Sequence, residues 1–134
     1  MFGPLWWDET WYSRHHLTAG LAKRWRVVHV QEPVSLRAAL KSPSRLLDPG
    51  GLHPGEVGLE EYVPPGRLPH VHRWPALVRW LQARRARRLQ ATLADAGMPD
   101  PLYYVWNPMY RPSVEALSDP TLVYHAYDKY DQYE

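Results

Sequence analysis

Prolines decide where regular structure can run in this chain. The chain has 14 prolines in 134 residues, and a proline has no N–H to donate within a helix or a central strand. Pro33 ends one apolar segment, and Pro101 and Pro108 bound another. Pro75 precedes a long helical pattern, at the position where a helix accepts a proline. The helices and strands must therefore fit into the windows between these residues.

Three short windows are typical of buried strands. They are "RVVHVQEP" (26–33), "LYYVW" (102–106) and "TLVYHAY" (121–127), which are rich in β-branched and aromatic residues. A fourth segment, "EVGLEEYVPP" (56–65), predicts one more strand within the proline-rich stretch 33–75. The rest of that stretch indicates a long irregular excursion over the surface, of the kind that has a function or is disordered.

Two longer windows have the spacing of amphipathic helices. The range 13–25 opens on a serine that suits an N-cap. The range 75–97 has an apolar stripe at helical spacing and ends in a glycine, which is a good stop signal. Shorter helical turns are predicted over 35–40 and 111–119.

Strands that alternate with helices predict an α/β fold, with a Rossmann-like, open and mainly parallel sheet flanked by helices. A length of 134 residues suits a single domain. A doubly wound sheet normally opens with a central strand before its first helix, whereas only "MFGPLWW" precedes the helix here. The chain also stops soon after its last strand. We therefore expect one domain over residues 1–134 that is truncated at both ends.

The composition excludes several classes of protein. There are no cysteines, which excludes a disulfide scaffold and thiolate chemistry. No apolar run reaches the roughly 20 residues that a membrane-spanning helix needs. The net charge of +2 does not by itself imply nucleic acid. We expect a cytoplasmic protein that is peripheral to the inner face of the membrane.

The opening stretch "WWDETWYSRHHLTAGLAKRW" (6–25) combines aromatic rings with charged residues. Its loop would lie beyond the carboxyl end of a first strand, where open α/β sheets bind ligands. Tryptophan rings stack on sugar faces, and the first turn of a helix favours an anion. The alternative is that the tryptophans fill the core. The candidate ligand-binding residues of this stretch are Trp6, Trp7, Asp8, Arg14, His15 and His16.

Polar residues also follow two of the predicted strands. Asp128 and His125 belong to the strand at 121–127 or follow it, and Asn107 follows the strand at 102–106. Asp128 falls at the carboxyl end of its strand, where it either contributes to a ligand site together with His125 or caps the next helix. Asn107 either hydrogen-bonds a ligand or only shapes the turn.

Two further motifs have competing interpretations. An arginine-rich surface on the long helix suits anionic lipid headgroups, a solvated face or RNA; it comprises Arg79, Arg84, Arg85, Arg87 and Arg88. The "HVH" motif (70–72) places two histidines on one side of a strand, but a metal site needs further ligands such as His53. We predict no metal site.

Three segments resemble a known family. "WDETWYSRHHLTAGLAKRWRVVHVQEP" resembles the opening of bacterial retaining glycosyltransferases that have the two-domain GT-B fold, of the teichuronic-acid-biosynthesis type. "YYVWNPMY" resembles the family's apolar strand that ends in Asn-Pro, and "LVYHAYDKYDQY" resembles its strand that is followed by Asp. The motifs occur in the family's order along nearly the whole chain.

The resemblance implies the N-terminal, acceptor-side half of a glycosyltransferase. Such an enzyme moves a sugar from a nucleotide-sugar co-substrate to a polysaccharide or lipid-linked acceptor, with no metal or other cofactor. The donor would be held by a second domain or a partner chain. Asp128 and His125 would be catalytic, and Asn107 would join the opening stretch in binding the acceptor. The alternative is a non-catalytic α/β module that binds a carbohydrate or a partner. A nucleic-acid-binding domain is a third interpretation, which no recognised motif supports.

Overall fold

The computed structural model describes residues 13–55, 58–71 and 74–125. Within these ranges it has four α-helices and five strands, joined by two short 3-10 helices. In chain order the elements are α1 (Ser13–Ala22), β1 (Val28–Val30), α2 (Leu36–Lys41), a 3-10 helix (Pro43–Leu47), β2 (Gly51–Pro54), β3 (Glu60–Val63), α3 (Pro75–Asp95), β4 (Leu102–Val105), a 3-10 helix (Pro108–Tyr110), α4 (Arg111–Val114) and β5 (Thr121–Tyr124).

The described strands form two small sheets. In the first sheet β3 lies between β1 and β2, parallel to β1 and antiparallel to β2. Tyr62 is aligned with Val30 on one side and Leu52 on the other. In the second sheet β4 and β5 run parallel, with Tyr103 aligned with Leu122. The fold is therefore mixed α/β with mainly parallel pairing, as the alternation of elements predicts.

Helix α3 joins the two sheets through one core. Its buried stripe has the i, i+3, i+7 spacing of a helix face, and the strands supply aromatic and β-branched side chains. Tyr62 and Leu89 are each only 1% exposed. The cluster comprises Val30 and Tyr62 from the first sheet, Tyr103 and Val105 from the second, Leu117 after α4, and Ala86, Leu89 and Leu93 from α3.

The end of α3 confirms the predicted glycine stop. Gly97 has φ +80°, a left-handed conformation that glycine adopts without strain. The N–H of Met98 donates to the Leu93 carbonyl at 2.8 Å, and the N–H of Gly97 donates to the Ala94 carbonyl at 3.0 Å. This pair of bonds is a Schellman motif, which satisfies carbonyls that the helix leaves open. Met98 also packs against the core.

The first helix and strand are shorter than predicted. Helix α1 ends at Ala22, and the first strand starts only at Val28. Between them, the Arg26 side chain donates to the Glu60 carboxylate at 2.6 and 2.9 Å and to the Ala96 carbonyl at 2.7 Å. These bonds join the segment before β1 to β3 and to the end of α3, so the chain leaves the helical path early.

The stretch 33–75 is more regular than the sequence indicates. The predicted helical turn at 35–40 is α2, and the predicted strand within 56–65 is β3. Strand β2 was not predicted, because its residues "GLHP" include a glycine and a proline, which are depleted in strands. It lies at the edge of the sheet, where a proline is tolerated. The stretch is therefore folded back onto β1 instead of forming an irregular excursion.

Candidate functional site

A cavity of about 270 Å³ opens beside the carboxyl ends of β1, β3 and β4. Residues that follow each of these strands line it: Glu32 after β1, Pro64 after β3 and Asn107 after β4. Ligands of open α/β sheets bind at this end of the strands because the loops there diverge. The fold therefore places the cavity where the predicted architecture expects a binding site.

The inner wall of the cavity is apolar. Tyr62, Ala86 and Leu89 belong both to the core and to the lining, so the cavity reaches down to the packed interior. Val78 extends this wall along α3 towards the start of the helix. Pockets that bind small molecules combine such apolar walls with a few placed polar groups.

Two polar side chains of α3 supply those groups. Arg85 donates its Nε–H to the Leu81 carbonyl at 3.3 Å, whereas its Nη1 atom is buried and has no hydrogen-bond partner among the described residues. Gln82 donates from Nε2 to the Met109 carbonyl at 3.3 Å, and its buried Oε1 likewise has no described partner. Both residues line the cavity. The site thus offers a cationic donor and an amide acceptor one helical turn apart.

Burial changes the acid–base behaviour of these groups. Loss of water around the Arg85 guanidinium lowers its pKa from the ordinary value. The pKa of the Tyr110 phenol is raised to about 12, mainly by burial and next by the negative charge of Glu32. The positive charge of Arg85 has the opposite, smaller effect on this pKa. Tyr110 therefore keeps its proton at neutral pH and presents a neutral hydroxyl to the cavity that it lines.

The acidic residue of the described lining, Glu32, is exposed. The buried cation and the exposed carboxylate are thus in different surroundings, because water screens charge at the surface far more than in the interior. Gln31, His70 and Ser113 also belong to the polar part of the lining. His70 is held by its backbone, whose N–H donates to the Val34 carbonyl at 2.7 Å.

Asn107 has the turn-shaping role that is one of the two alternatives suggested by the sequence, and the other, binding of an acceptor, stays a prediction. Its side-chain Oδ1 accepts from the N–H of Met109 at 2.9 Å, which shapes the turn into the 3-10 helix at Pro108–Tyr110. It also lines the cavity. Of the predicted site residues whose side chains the structure describes, Asn107 is therefore the one that lies at the cavity.

His125 lies in different surroundings. Its Nδ1 is 2.6 Å from the Tyr104 hydroxyl, and its ring stacks on Trp106 with 4.7 Å between centroids. Its backbone N–H donates to the Val105 carbonyl and continues the β4–β5 pairing by one step. His125 is not among the residues that line the cavity. Asp128 lies outside the described residues, so the pairing of His125 with Asp128 stays a prediction.

The candidates of the opening stretch are only partly described. Trp6, Trp7 and Asp8 lie outside the described residues. The backbone of Arg14 and His15 belongs to the first turn of α1, as predicted. His16 follows them in the helix and is exposed.

The five arginines of α3 do not share one surface. Arg79, Arg84, Arg87 and Arg88 are exposed, and the Arg84 guanidinium carbon is 6.0 Å from the ring centre of Trp80. The fifth, Arg85, lines the cavity. Sequence reasoning assigned Arg85 to the outer face and missed this position. The signal was present, since Leu81 and Leu89 lie four residues to either side of it.

The described ranges contain no group of three or more His, Cys, Asp or Glu residues that could hold a metal ion. No described helix is long and apolar enough to cross a membrane. No family model, curated protein or solved structure matches the chain, so the geometry of the cavity is what supports a function for it.

Proposed function

We propose that this chain is the acceptor-binding half of a GT-B glycosyltransferase, and that the cavity at the carboxyl ends of β1, β3 and β4 holds the acceptor sugar. The cavity is the observation that carries the proposal, because it lies at the strand ends and joins an apolar wall to hydrogen-bonding groups. The Rossmann-like half-fold and the sugar-transfer reaction are suggested by the resemblance of three segments of the sequence.

In this proposal the polar groups of the cavity hold the acceptor by its hydroxyls. The Gln82 Oε1 accepts a hydroxyl hydrogen, and Arg85 donates to a sugar oxygen. The Asn107 amide completes the set at the mouth, while Tyr62 and Leu89 contact the apolar face of the ring. Each of these residues lines the cavity, and buried polar atoms gain most from a new partner because they have already lost their water.

We assign Asp128 the role of orienting or deprotonating the acceptor hydroxyl, with His125 assisting. Trp6, Trp7 and Asp8, together with Arg14, His15 and His16, extend the acceptor site. The nucleotide-sugar donor is held by a second domain or a partner chain, whose basic groups stabilise the leaving diphosphate without a metal.

The exposed arginines of α3 support a place at the inner face of the cytoplasmic membrane. Arg84 and Arg87 lie on the outer side of the helix with Trp80, which is 56% exposed. Arginine and tryptophan together suit an anionic headgroup surface, since one binds phosphate and the other prefers the interface. A membrane-borne acceptor would then be presented directly to the cavity.

A carbohydrate-binding module without catalysis is the second candidate. The observation in its favour is that Glu32, which bears the carboxylate of the described cavity lining, is exposed to solvent and does not lie among the buried groups of the cavity. The two candidates differ in whether sugar transfer appears when the chain is joined to a donor-binding domain.

Titration of the ¹⁵N-labelled chain with saccharides and with nucleotide-sugars tests the proposal. Saccharides should shift the amide signals of residues around the cavity, and the nucleotide part should add nothing. Gln82→Met should weaken saccharide binding, whereas Gln90→Met should not. These variants are matched, because each glutamine is on α3 and donates to a backbone carbonyl, Met109 for Gln82 and Ser118 for Gln90. Nucleotide binding in the cavity, or no response to any saccharide, would refute the proposal.

A further inference from the structure

We propose that the cavity binds a ligand that carries an oxyanion, a carboxylate or a phosphate ester, and that Arg85 is the cationic partner of that group. The inference rests on the proposed function only in taking the ligand to be a sugar. It identifies the acceptor as an acidic sugar instead of a neutral one.

The first argument is the state of the Arg85 side chain. Its Nη1 atom is buried, and the side chain forms no ion pair with a described residue. A buried charge without a partner is costly, so proteins usually pair it or move it to the surface. The other arginines nearby on α3 reach solvent, and Arg26 and Arg111 are paired with Glu60 and Glu115. Arg85 is half-buried instead, lines the cavity and has no ion-pair partner among the described residues.

The second argument is that the groups around Arg85 do not neutralise it. Tyr110 keeps its proton because its pKa is raised to about 12. Glu32 lines the same cavity but is exposed, and its attraction for Arg85 is weakened by water. The positive charge inside the cavity is therefore available to an anion from outside, and Glu32 at the mouth opposes that anion only weakly.

The third argument is the geometry of the donors. The Arg85 Nε–H is used by the Leu81 carbonyl, which leaves the terminal nitrogens for the ligand. Two terminal N–H groups match the paired oxygens of a carboxylate or phosphate. Gln82, one turn earlier, adds an acceptor for a hydroxyl. A ligand with an oxyanion and a neighbouring hydroxyl satisfies both, and a single acidic sugar has both.

The size of the cavity agrees with a ligand of that kind. Its volume of about 270 Å³ lies just below the range of roughly 300–1,000 Å³ that is usual for drug-sized ligands. Tyr62 and Leu89 contribute to the apolar wall of the cavity, which a sugar ring can contact. The cavity therefore suits one acidic sugar residue and not an extended oligosaccharide.

Calorimetric titration of the whole chain at fixed ionic strength tests the inference. The ligands are glucose, glucuronate and glucose 6-phosphate, which share one sugar ring. Glucose is neutral, glucuronate carries a carboxylate, and glucose 6-phosphate carries a phosphate ester. At least one acidic sugar should bind about tenfold or more tightly than glucose, as expected for a charged hydrogen bond. Preference for glucuronate or for glucose 6-phosphate identifies the anion as a carboxylate or a phosphate ester.

Arg85→Met should abolish this preference, and Arg87→Met should leave it unchanged. Both variants remove one positive charge from α3, but Arg87 is exposed and does not line the cavity. The amide NMR spectrum of ¹⁵N-labelled Arg85→Met, compared with that of the parent protein, checks that the variant folds. If it does not fold, Glu32→Gln takes its place and should tighten the acidic sugars without affecting glucose.

The failures of the two proposals are distinguishable. Equal binding of glucose and both acidic sugars, or equal losses in Arg85→Met and Arg87→Met, would overturn the oxyanion site and leave the acceptor proposal standing. If no sugar binds but acetate or inorganic phosphate does so in an Arg85-dependent way, the oxyanion site stands and the acceptor proposal fails. No binding of any of these ligands overturns both.

Discussion

Replacing Arg85 with methionine should stabilise the ligand-free protein, although the same change should remove ligand binding. The guanidinium has a buried Nη1 atom with no described partner and a pKa lowered by lost hydration. Methionine has a similar length, carries no charge and fills irregular apolar space. Sites that bind ligands commonly hold groups that are unfavourable for the fold itself.

The magnitude follows from the contacts of this side chain. Removing a buried unsatisfied donor gains about 1–3 kcal/mol, and losing the long Nε–Leu81 bond of 3.3 Å costs about 0.5–1 kcal/mol. The net gain is about 1–2 kcal/mol. A chain of 134 residues has an unfolding entropy of about 280 cal/mol/K, so Tm should rise by about 4–7 °C.

Differential scanning calorimetry and urea unfolding at pH 7 measure this gain. Arg87→Met is the matched control and should stay within about 0.5 kcal/mol of the parent protein, because its side chain is exposed. A lower Tm for Arg85→Met beside an unchanged Arg87→Met would refute the reasoning. It would mean that the guanidinium is satisfied within the fold and that its charge is not held for a ligand.

Three further predictions concern the core, the close approach of Gly66 to Arg45, and the cavity residue Tyr110. Leu89→Ala should cost about 3–4 kcal/mol in urea unfolding, because Leu89 is 1% exposed and belongs to the core that joins both sheets, whereas Leu40→Ala, at a residue 72% exposed, should cost under about 1 kcal/mol. Gly66→Ala should destabilise by about 1–3 kcal/mol or more, since a Cβ there would overlap the carbonyl of Arg45; a Tm within 2 °C of the parent would contradict this close approach. Between pH 10 and about 12 the unfolded state loses the Tyr110 proton before the folded state does, so stability should fall with pH, and Tyr110→Phe should make that fall shallower by up to about 2–3 kcal/mol.

Elements with local signals were predictable from the sequence. Helix α3 has a proline at its start, a glycine after its end and an apolar stripe between them. Strand β4 is bounded by prolines and filled with aromatic and β-branched residues. Each of these signals acts within a few residues of the chain, so one sequence is enough to place the element.

The first sheet was only partly predictable, because its pairing is long-range. Val28 of β1 is aligned with Glu60 of β3, and no local pattern links two segments that far apart in the chain. Strand β2 has a glycine, a histidine and a proline in four residues, and it is a strand because β3 pairs with it. Tertiary context overrides local preference most strongly in such short strands.

The charge of the cavity did not follow from the "RRARR" run. A run of arginines reads as one solvated surface, whereas each residue of a helix turns by about 100° from the one before it. Arg85 lies four residues from both Leu81 and Leu89, and both leucines are buried. A charged residue with buried neighbours at i−4 and i+4 must be on the inner face, where it needs a partner. No described acidic residue forms an ion pair with it, so the partner is best sought in whatever the cavity binds.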